Sequence, residues 1–372
     1  MSKAKDDNDL LKAGEYGGPM ADIEPMLVPT DDSMVNQGAR VDIGEVLDAA
    51  LARMKRRYEG AEVPIPVPWP SIAEPLGGGL WPGLHVLVGN TGSGKSQFAL
   101  QLSLEAARKA VPVLYIGLEL DYIGLVARLL SLLTLRHKWS DLYLGKANAI
   151  TDLLELNFAA VEQLRSLPVQ IQVAPPNGWD YSNLLAAAQG LRKQFPEKIG
   201  DEGKPIRGSR PFLIVLDFLQ LVSGDERELR ERIGKAAYAG RMIAREMDAA
   251  VLLISSTARE NYGTLENQPR TKNGDVPKIK DALGRGSPTR LVGLGKESGE
   301  IEFAADTVLV LAREPWPEDA ETGKPIPPTD GTHCWLAIAK IRAGLPSWAE
   351  LRFDGKRFSE PVASVTHDAS EF

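Results

Sequence analysis

Apolar positions along this chain switch repeatedly between two periods. Short apolar runs of strand length are followed by stretches whose apolar residues recur every three and four positions. Strands are predicted at 84–88, 113–117, 169–173, 212–217, 250–255, 307–312, 334–341 and 349–353. Helices are predicted at 96–109, 121–135, 181–194 and 227–247. Strand and helix in alternation predict an α/β fold whose mostly parallel central sheet is flanked by helices on both faces. The last three strands follow one another with little helix between them, which predicts antiparallel strands at one edge. No internal repeat is visible.

The pattern is different upstream. Residues 1–40 are rich in Asp, Lys, Gly and Pro and carry little apolar periodicity, so a disordered tail is expected. In the next segment Ile43, Val46, Leu47, Ala50, Leu51 and Met54 return to helical spacing. Lys55, Arg56 and Arg57 fall in the last turn, where cations complement the helix dipole. A Pro-rich stretch, 63–70, follows and is read as extended. Two readings stand here: an arm helix on a strap, or an ordinary helix packed on its own core. The expected organisation is a tail (1–40), an arm helix and Pro-rich linker (41–68), a main body (69–359) and a C-terminal tail (360–372).

Composition narrows the class. The 372 residues are 43% apolar and 25% charged, the balance of an ordinary globular protein. The longest apolar runs, such as 212–216, fall far short of the ~20 residues a bilayer span needs. The first 25 residues contain no apolar core of a secretory signal. Cys334 is the one cysteine, which excludes an internal disulfide framework and a multi-cysteine zinc site. A cytoplasmic location, with no membrane partner, is expected. The net charge of −7 means that any nucleic acid must be held by a local basic strip or by assembly, not by the surface as a whole.

The strongest chemical signal is Gly89-Asn90-Thr91-Gly92-Ser93-Gly94-Lys95-Ser96, with Gln97 next in line. A strand precedes it and a helix follows it, the context in which glycines let backbone N–H groups curl around phosphate oxygens. The helix N-terminus adds partial positive charge. Lys95 has the reach for the β- and γ-phosphates of ATP, and the Ser96 hydroxyl suits Mg²⁺. The second half of such a site is an acid at the end of a buried strand. Residues 212–216 are apolar and end in Asp217. Gln220, just downstream, either senses the γ-phosphate or caps a helix.

Further residues carry a family resemblance. Gly77-Gly78-Gly79-Leu80-Trp81-Pro82-Gly83 ahead of the phosphate loop is similar to RecA-like ring motors. Leu216-Asp217-Phe218-Leu219-Gln220-Leu221 resembles a stretch of DnaB-type replicative helicases. So do Lys296-Glu297-Ser298-Gly299-Glu300-Ile301-Glu302, followed by Ala305-Asp306, and Ala339-Lys340-Ile341-Arg342-Ala343-Gly344. These segments occur in the family's order over about residues 69–358. The resemblance implies a RecA-like P-loop NTPase fold and an ATP-dependent DNA helicase acting on single-stranded DNA as a hexameric ring in replication. A loader or a primase would be further partners. It also implies that Glu119, in Tyr115-Ile116-Gly117-Leu118-Glu119-Leu120, is the general base. Lys340 and Arg342, two apart on a strand and so on one face, would reach the ATP of a neighbouring subunit.

The chain departs from the family's pattern in places. The usual Ser-Gln pair is Ser255-Ser256 here, and Lys296 stands where an arginine is usual. The family's helical N-terminal domain has no counterpart in residues 1–68, where the helix at 41–58 would replace only a linker helix. These departures keep two other functions open: a recombinase-type filament ATPase, and a nucleotide-switched regulatory DNA-binding ATPase of a phage or mobile element.

DNA is expected on the Gly-rich segment 269–296. It holds Arg270, Lys272, Lys278, Lys280, Arg285, Arg290 and Lys296 against Asp275 and Asp281. The family's loops at this position line the central channel. No aromatic residue lies in the segment, so phosphate contacts with little sequence preference are expected. Arg227, Arg230 and Arg232 form a second candidate, diluted by acids.

Overall fold

A computed structural model of the chain describes residues 42–173, 181–200, 205–217, 229–257, 288–294, 303–314 and 331–361, with a few single positions between them. The tail expected at 1–40 and nearly all of that at 360–372 lie outside the described residues.

In chain order the elements are α1 (Ile43–Tyr58), β1 (Ile65–Pro66), α2 (Pro70–Ala73), β2 (Gly79–Leu80), β3 (Gly83–Gly89), α3 (Lys95–Arg108), β4 (Val113–Gly117) and α4 (Tyr122–Thr134). Next come α5 (Trp139–Tyr143), α6 (Ala147–Thr151), α7 (Phe158–Ser166), β5 (Val169–Val173), α8 (Tyr181–Gln194), β6 (Leu213–Asp217), α9 (Leu229–Met247) and β7 (Ala250–Ser256). The last strands are β8 (Thr307–Arg313), β9 (Thr332–Ile341), β10 (Ser347–Phe353) and β11 (Phe358–Ser359). The strands and helices predicted from periodicity are present with ends shifted by a residue or two. The short helices between 139 and 166 escape the period test because each is too brief to establish one.

Nine strands form one sheet in the order β11-β10-β9-β8-β3-β7-β6-β4-β5. From β8 to β5 every pairing is parallel, and β8–β9, β9–β10 and β10–β11 are antiparallel. The antiparallel edge is therefore where the run of unseparated strands placed it.

Alternation along the central strands feeds two apolar layers. Leu114, Ile116, Ile214, Leu216, Val251 and Leu253 pack under α8 and α9. Val113, Tyr115, Leu213, Val215, Leu252 and Ile254 pack under α3 and α4. All twelve are nearly inaccessible, and burial of this kind dominates the folding free energy. Trp69, at the end of the Pro-rich strap, stacks on Phe98 of α3 with ring centres 4.2 Å apart, and Phe358 meets both edge-on. The strap and the last strand are thus clamped to the helix that follows the phosphate loop.

The helix α1 combines features of both sequence readings. Asp42 caps it, accepting the Gly44 N–H at 2.9 Å. Its Arg53 binds Glu62 and Asp248, so it is docked on the body of its own chain, through charge. Its apolar stripe, Ile43, Leu47, Leu51, Met54 and Tyr58, points to solvent with exposures of 51–84%. Arg56 and Arg57 also face the buried Glu62 carboxylate, so their position serves an ion-pair cluster as well as the helix dipole. Among the described residues no helix is long and apolar enough to cross a membrane.

Candidate active site

The phosphate loop joins β3 to α3. Gly94, at the helix N-cap, has φ +96°, and a Cβ there would lie 2.8 Å from the Phe358 ring. Gly89 has no such torsional need, but a Cβ would strike the Leu311 carbonyl at 2.6 Å. The loop is therefore closed from behind by β8 and β11, and side chains are excluded where the backbone has to turn. Lys95 is buried, and its Nζ donates to the Gly89 and Asn90 carbonyls, both at 2.8 Å. Burial pushes its pKa down to about 8, with Asp217 and Glu119 pulling the other way.

Asp217 ends β6, separated from β3 by the single strand β7, about 10 Å at the usual strand spacing. Its carboxylate is 2% exposed. Oδ2 accepts the Tyr115 hydroxyl at 2.8 Å. Burial raises its pKa, against the opposing pull of the Ser96 and Tyr115 hydroxyls and of Lys95. Oδ1 is buried and has no hydrogen-bond partner among the described residues, and the Ser93 hydroxyl is in the same condition. The orphaned Asp217 oxygen, together with the Ser96 hydroxyl that interacts with the same carboxylate, makes a hard-oxygen donor pair, which fits Mg²⁺ better than a softer metal.

Glu119 lies two residues beyond β4 and is exposed. The parallel register pairs Gly117 with Asp217, and the Leu118 N–H donates to the Asp217 carbonyl at 2.6 Å. Glu119 is thereby brought to the rim of the same site, within electrostatic reach of Lys95 and Asp217. The expectation that Gln97 touches nucleotide narrows to its backbone. Its side chain donates to the Lys356 carbonyl at 2.6 Å and accepts from Arg128 at 3.2 Å. That leaves its backbone N–H, in the first turn of α3, for any phosphate.

Two residues that sequence reasoning passed over belong to this neighbourhood. Tyr115 sits inside an apolar strand and looks like core. Arg128 is on α4, where it stacks its guanidinium 3.7 Å from the Trp139 ring centre. Burial lowers the Arg128 pKa, and its charge is felt by Tyr115, Asp217 and Glu119. The detectable signals were a lone tyrosine two residues before the end of a buried strand and a lone arginine in the apolar run 125–132.

At the strand end after β7, Ser256 pairs with Gly89 in register, and the Thr257 N–H donates to the Gly89 carbonyl at 3.2 Å. The buried Thr257 hydroxyl has no partner among the described residues. The position where the family carries glutamine thus abuts the phosphate loop with short hydroxyl side chains.

Lys340 and Arg342 are not brought to this site. β9 runs antiparallel to β8, with Ile341 opposite Thr307 and Thr307 opposite His85, at the far end of β3 from Gly89. At ~3.3 Å per residue this separates Arg342 from its own phosphate loop by roughly 16 Å or more. The reading that both lie on one strand face needs correction. β9 ends at Ile341, a register shift intervenes at Val308/Leu309, and Arg342 lies in the bend beyond. Its Nε donates to Asp306 at 2.8 Å. Arg290 is exposed on a short 3-10 turn, Pro288–Leu291, that packs against β9. Gln220, Arg270, Lys272, Lys278, Lys280, Arg285 and Lys296 lie outside the described residues.

A phosphate loop at the end of a central parallel strand, a buried strand-end aspartate beside it and an antiparallel edge define a P-loop ATPase fold of the RecA-like class. The family described as DnaB-like helicase C terminal domain matches residues 73–360, and the chain belongs to that family. Among solved structures, a separately solved ATPase domain superposes with TM-score 0.63 at 16% identity, over 87% of this chain and all of that one. A DnaB-like replicative helicase, described together with its interactions with primase, superposes with TM-score 0.60 at 16% identity, over 87% of this chain and 68% of that one. No curated protein matches the chain.

Proposed function

We propose that this chain is the motor of an ATP-driven DNA helicase that moves on single-stranded DNA as a homohexameric ring during replication, in the cytoplasm. The observation that carries the reading is the placement of Arg342 and Lys340. They lie at the opposite end of the sheet from the phosphate loop of their own chain, so the transferred phosphate that either would reach is a second copy's. Such a charge in trans stabilises the transition state.

Within one copy, Gly89 to Gln97 would cradle the triphosphate and Lys95 would bind its β- and γ-oxygens. Ser96 and Asp217 would hold Mg²⁺, in part through water. When bound, that ion neutralises charge that builds on the phosphate oxygens. Glu119 would orient and deprotonate the attacking water, and Gln220 would report the γ-phosphate to the DNA loops. The exposed apolar stripe of α1 fits docking on a neighbouring copy, because a helix face this apolar is seldom left in water. The +5 segment 269–296, Arg290 included, repeated around a ring, would supply the positive channel that the acidic chain otherwise lacks. A loader or a primase would be an additional partner.

The test is complementation between two inactive variants. Lys95→Ala and Arg342→Ala are each expected to lose ATP hydrolysis. Mixed before assembly, they should recover part of it, since some boundaries pair an intact loop with an intact finger. Arg342→Ala alone should still bind nucleotide. Absence of recovery, or wild-type turnover by Arg342→Ala, removes the trans assignment. Closed six-membered rings that unwind a forked duplex support the motor. Open filaments would indicate a recombinase-type ATPase, and monomers or dimers a nucleotide-switched regulator.

A further inference from the structure

Tyr115 and Asp217 are far apart in sequence and adjacent in space for a reason that lies in the register. β4 and β6 are parallel neighbours, with Tyr115 opposite Val215 and Gly117 opposite Asp217. Tyr115, Val215 and Asp217 share one face because side chains alternate along a strand. Tyr115 therefore stands one step below Asp217 on the adjacent strand, and its ring spans the diagonal. Its hydroxyl reaches Oδ2 at 2.8 Å, with the tyrosine fully buried and the aspartate 2% exposed.

We propose that Tyr115 is a positioning residue for the magnesium carboxylate: its hydroxyl fixes Oδ2 of Asp217 and so keeps Oδ1 turned toward Ser96 and the phosphate loop. This rests on the reading of Ser96 and Asp217 as the Mg²⁺ site. The rotation of a carboxylate about its last torsion is soft and nearly two-fold. A partner on one oxygen alone breaks that symmetry. The other oxygen is the one left without a partner among the described residues. A strand-centre phenylalanine or isoleucine would fill the same space and leave both oxygens free to turn. Outer partners of this kind commonly set metal affinity by about ten- to a hundredfold.

The experiment uses Tyr115→Phe, which keeps the ring and removes the hydroxyl. Binding of a fluorescent ATP analogue is measured in chelator and in a Mg²⁺ titration, with hydrolysis followed alongside. The expected result is unchanged affinity in chelator and an about tenfold loss of the affinity gained from Mg²⁺. The Mg²⁺ requirement for hydrolysis should rise in parallel. In an Asp217→Asn background the same substitution should cause no further loss, because Tyr115 acts through that carboxylate. The inference is overturned if Tyr115→Phe retains the full Mg²⁺ gain, if it weakens binding equally in chelator, or if its effect persists without Asp217. Should the wild-type protein itself gain no affinity from Mg²⁺, the failure lies with the metal-site reading and not with Tyr115.

Discussion

Replacing Arg53 by methionine should weaken the fold through a buried carboxylate that has no other ion-pair partner among the described residues. Asp248 follows directly after α9, at the negative end of a 19-residue helix dipole, and is 5% exposed. Its carboxylate accepts at 2.8 and 2.9 Å from the one Arg53 Nη2. The same guanidinium also serves Glu62, which keeps Arg57 at 2.8 Å when Arg53 is lost. Asp248 keeps no second ion pair among the described residues, only the longer-range charge of Arg192. Breaking a buried pair from one side costs about 3–5 kcal/mol. The Arg53 side chain is 24% exposed, so water recovers part of that, and about 3 kcal/mol is the working figure. Methionine retains most of the packed stem, which isolates the charge.

Urea and thermal unfolding of Arg53→Met, Asp248→Asn and the double variant measure this. The single Arg53 change should lower the melting temperature by roughly 6–12 °C, taking about 2–4 °C per kcal/mol. The double variant should be more stable than the sum of the singles by about 2 kcal/mol, since the stranded charge is gone. Additive losses, or an Arg53→Met protein as stable as wild type, would refute the account of how α1 is held.

Lys95 predicts a pH effect. Burial brings its ammonium down to about 8, so the charged form that attracts phosphate is lost as pH rises through 8. Affinity for ATP, measured by analogue binding from pH 7 to 9, should fall on the alkaline side, and a flat profile would contradict the burial argument. Gly94→Ala should impair nucleotide binding, because an alanine at φ +96° is strained by about 1–2 kcal/mol and its Cβ collides with Phe358 at 2.8 Å. Normal binding by this variant would mean that the loop tolerates another path. Reversing charge at Lys278 and Lys280 should weaken single-stranded DNA binding and flatten its dependence on salt. Filter binding across a salt series tests this, and an unchanged slope would move the DNA contact elsewhere.

Much of the candidate site is legible in the sequence, because its signals are local. The spacing of glycines before Lys95 and Ser96 is a backbone requirement that a short window satisfies or fails. An apolar run ending in Asp217 reports a buried strand delivering an acid. Other parts were hidden by the same logic. Tyr115 reads as one more core residue until its neighbour two strand positions away is known to be Asp217. Arg128 reads as an interruption in an apolar helix until Trp139 and Gln97 close around it. The strand alternation inferred for Lys340 and Arg342 failed because a register shift and a strand end lie beneath it, and neither leaves a mark on hydrophobic periodicity.

Periodicity, glycine placement and charge spacing determined which segments are helix or strand, which loop has the make-up of a phosphate loop and which family the motifs resemble, since each depends on interactions within a few residues. Tertiary structure alone decided the strand order and register. From those follow the Tyr115–Asp217 pair, the arginine cluster that docks α1 by charge with its apolar stripe outward, and the stationing of Arg342 on Asp306 at the far end of the sheet. These are pairings between residues 36 to 195 positions apart, and only the folded sheet, by choosing which strand lies beside which, brings such residues within a hydrogen bond of each other.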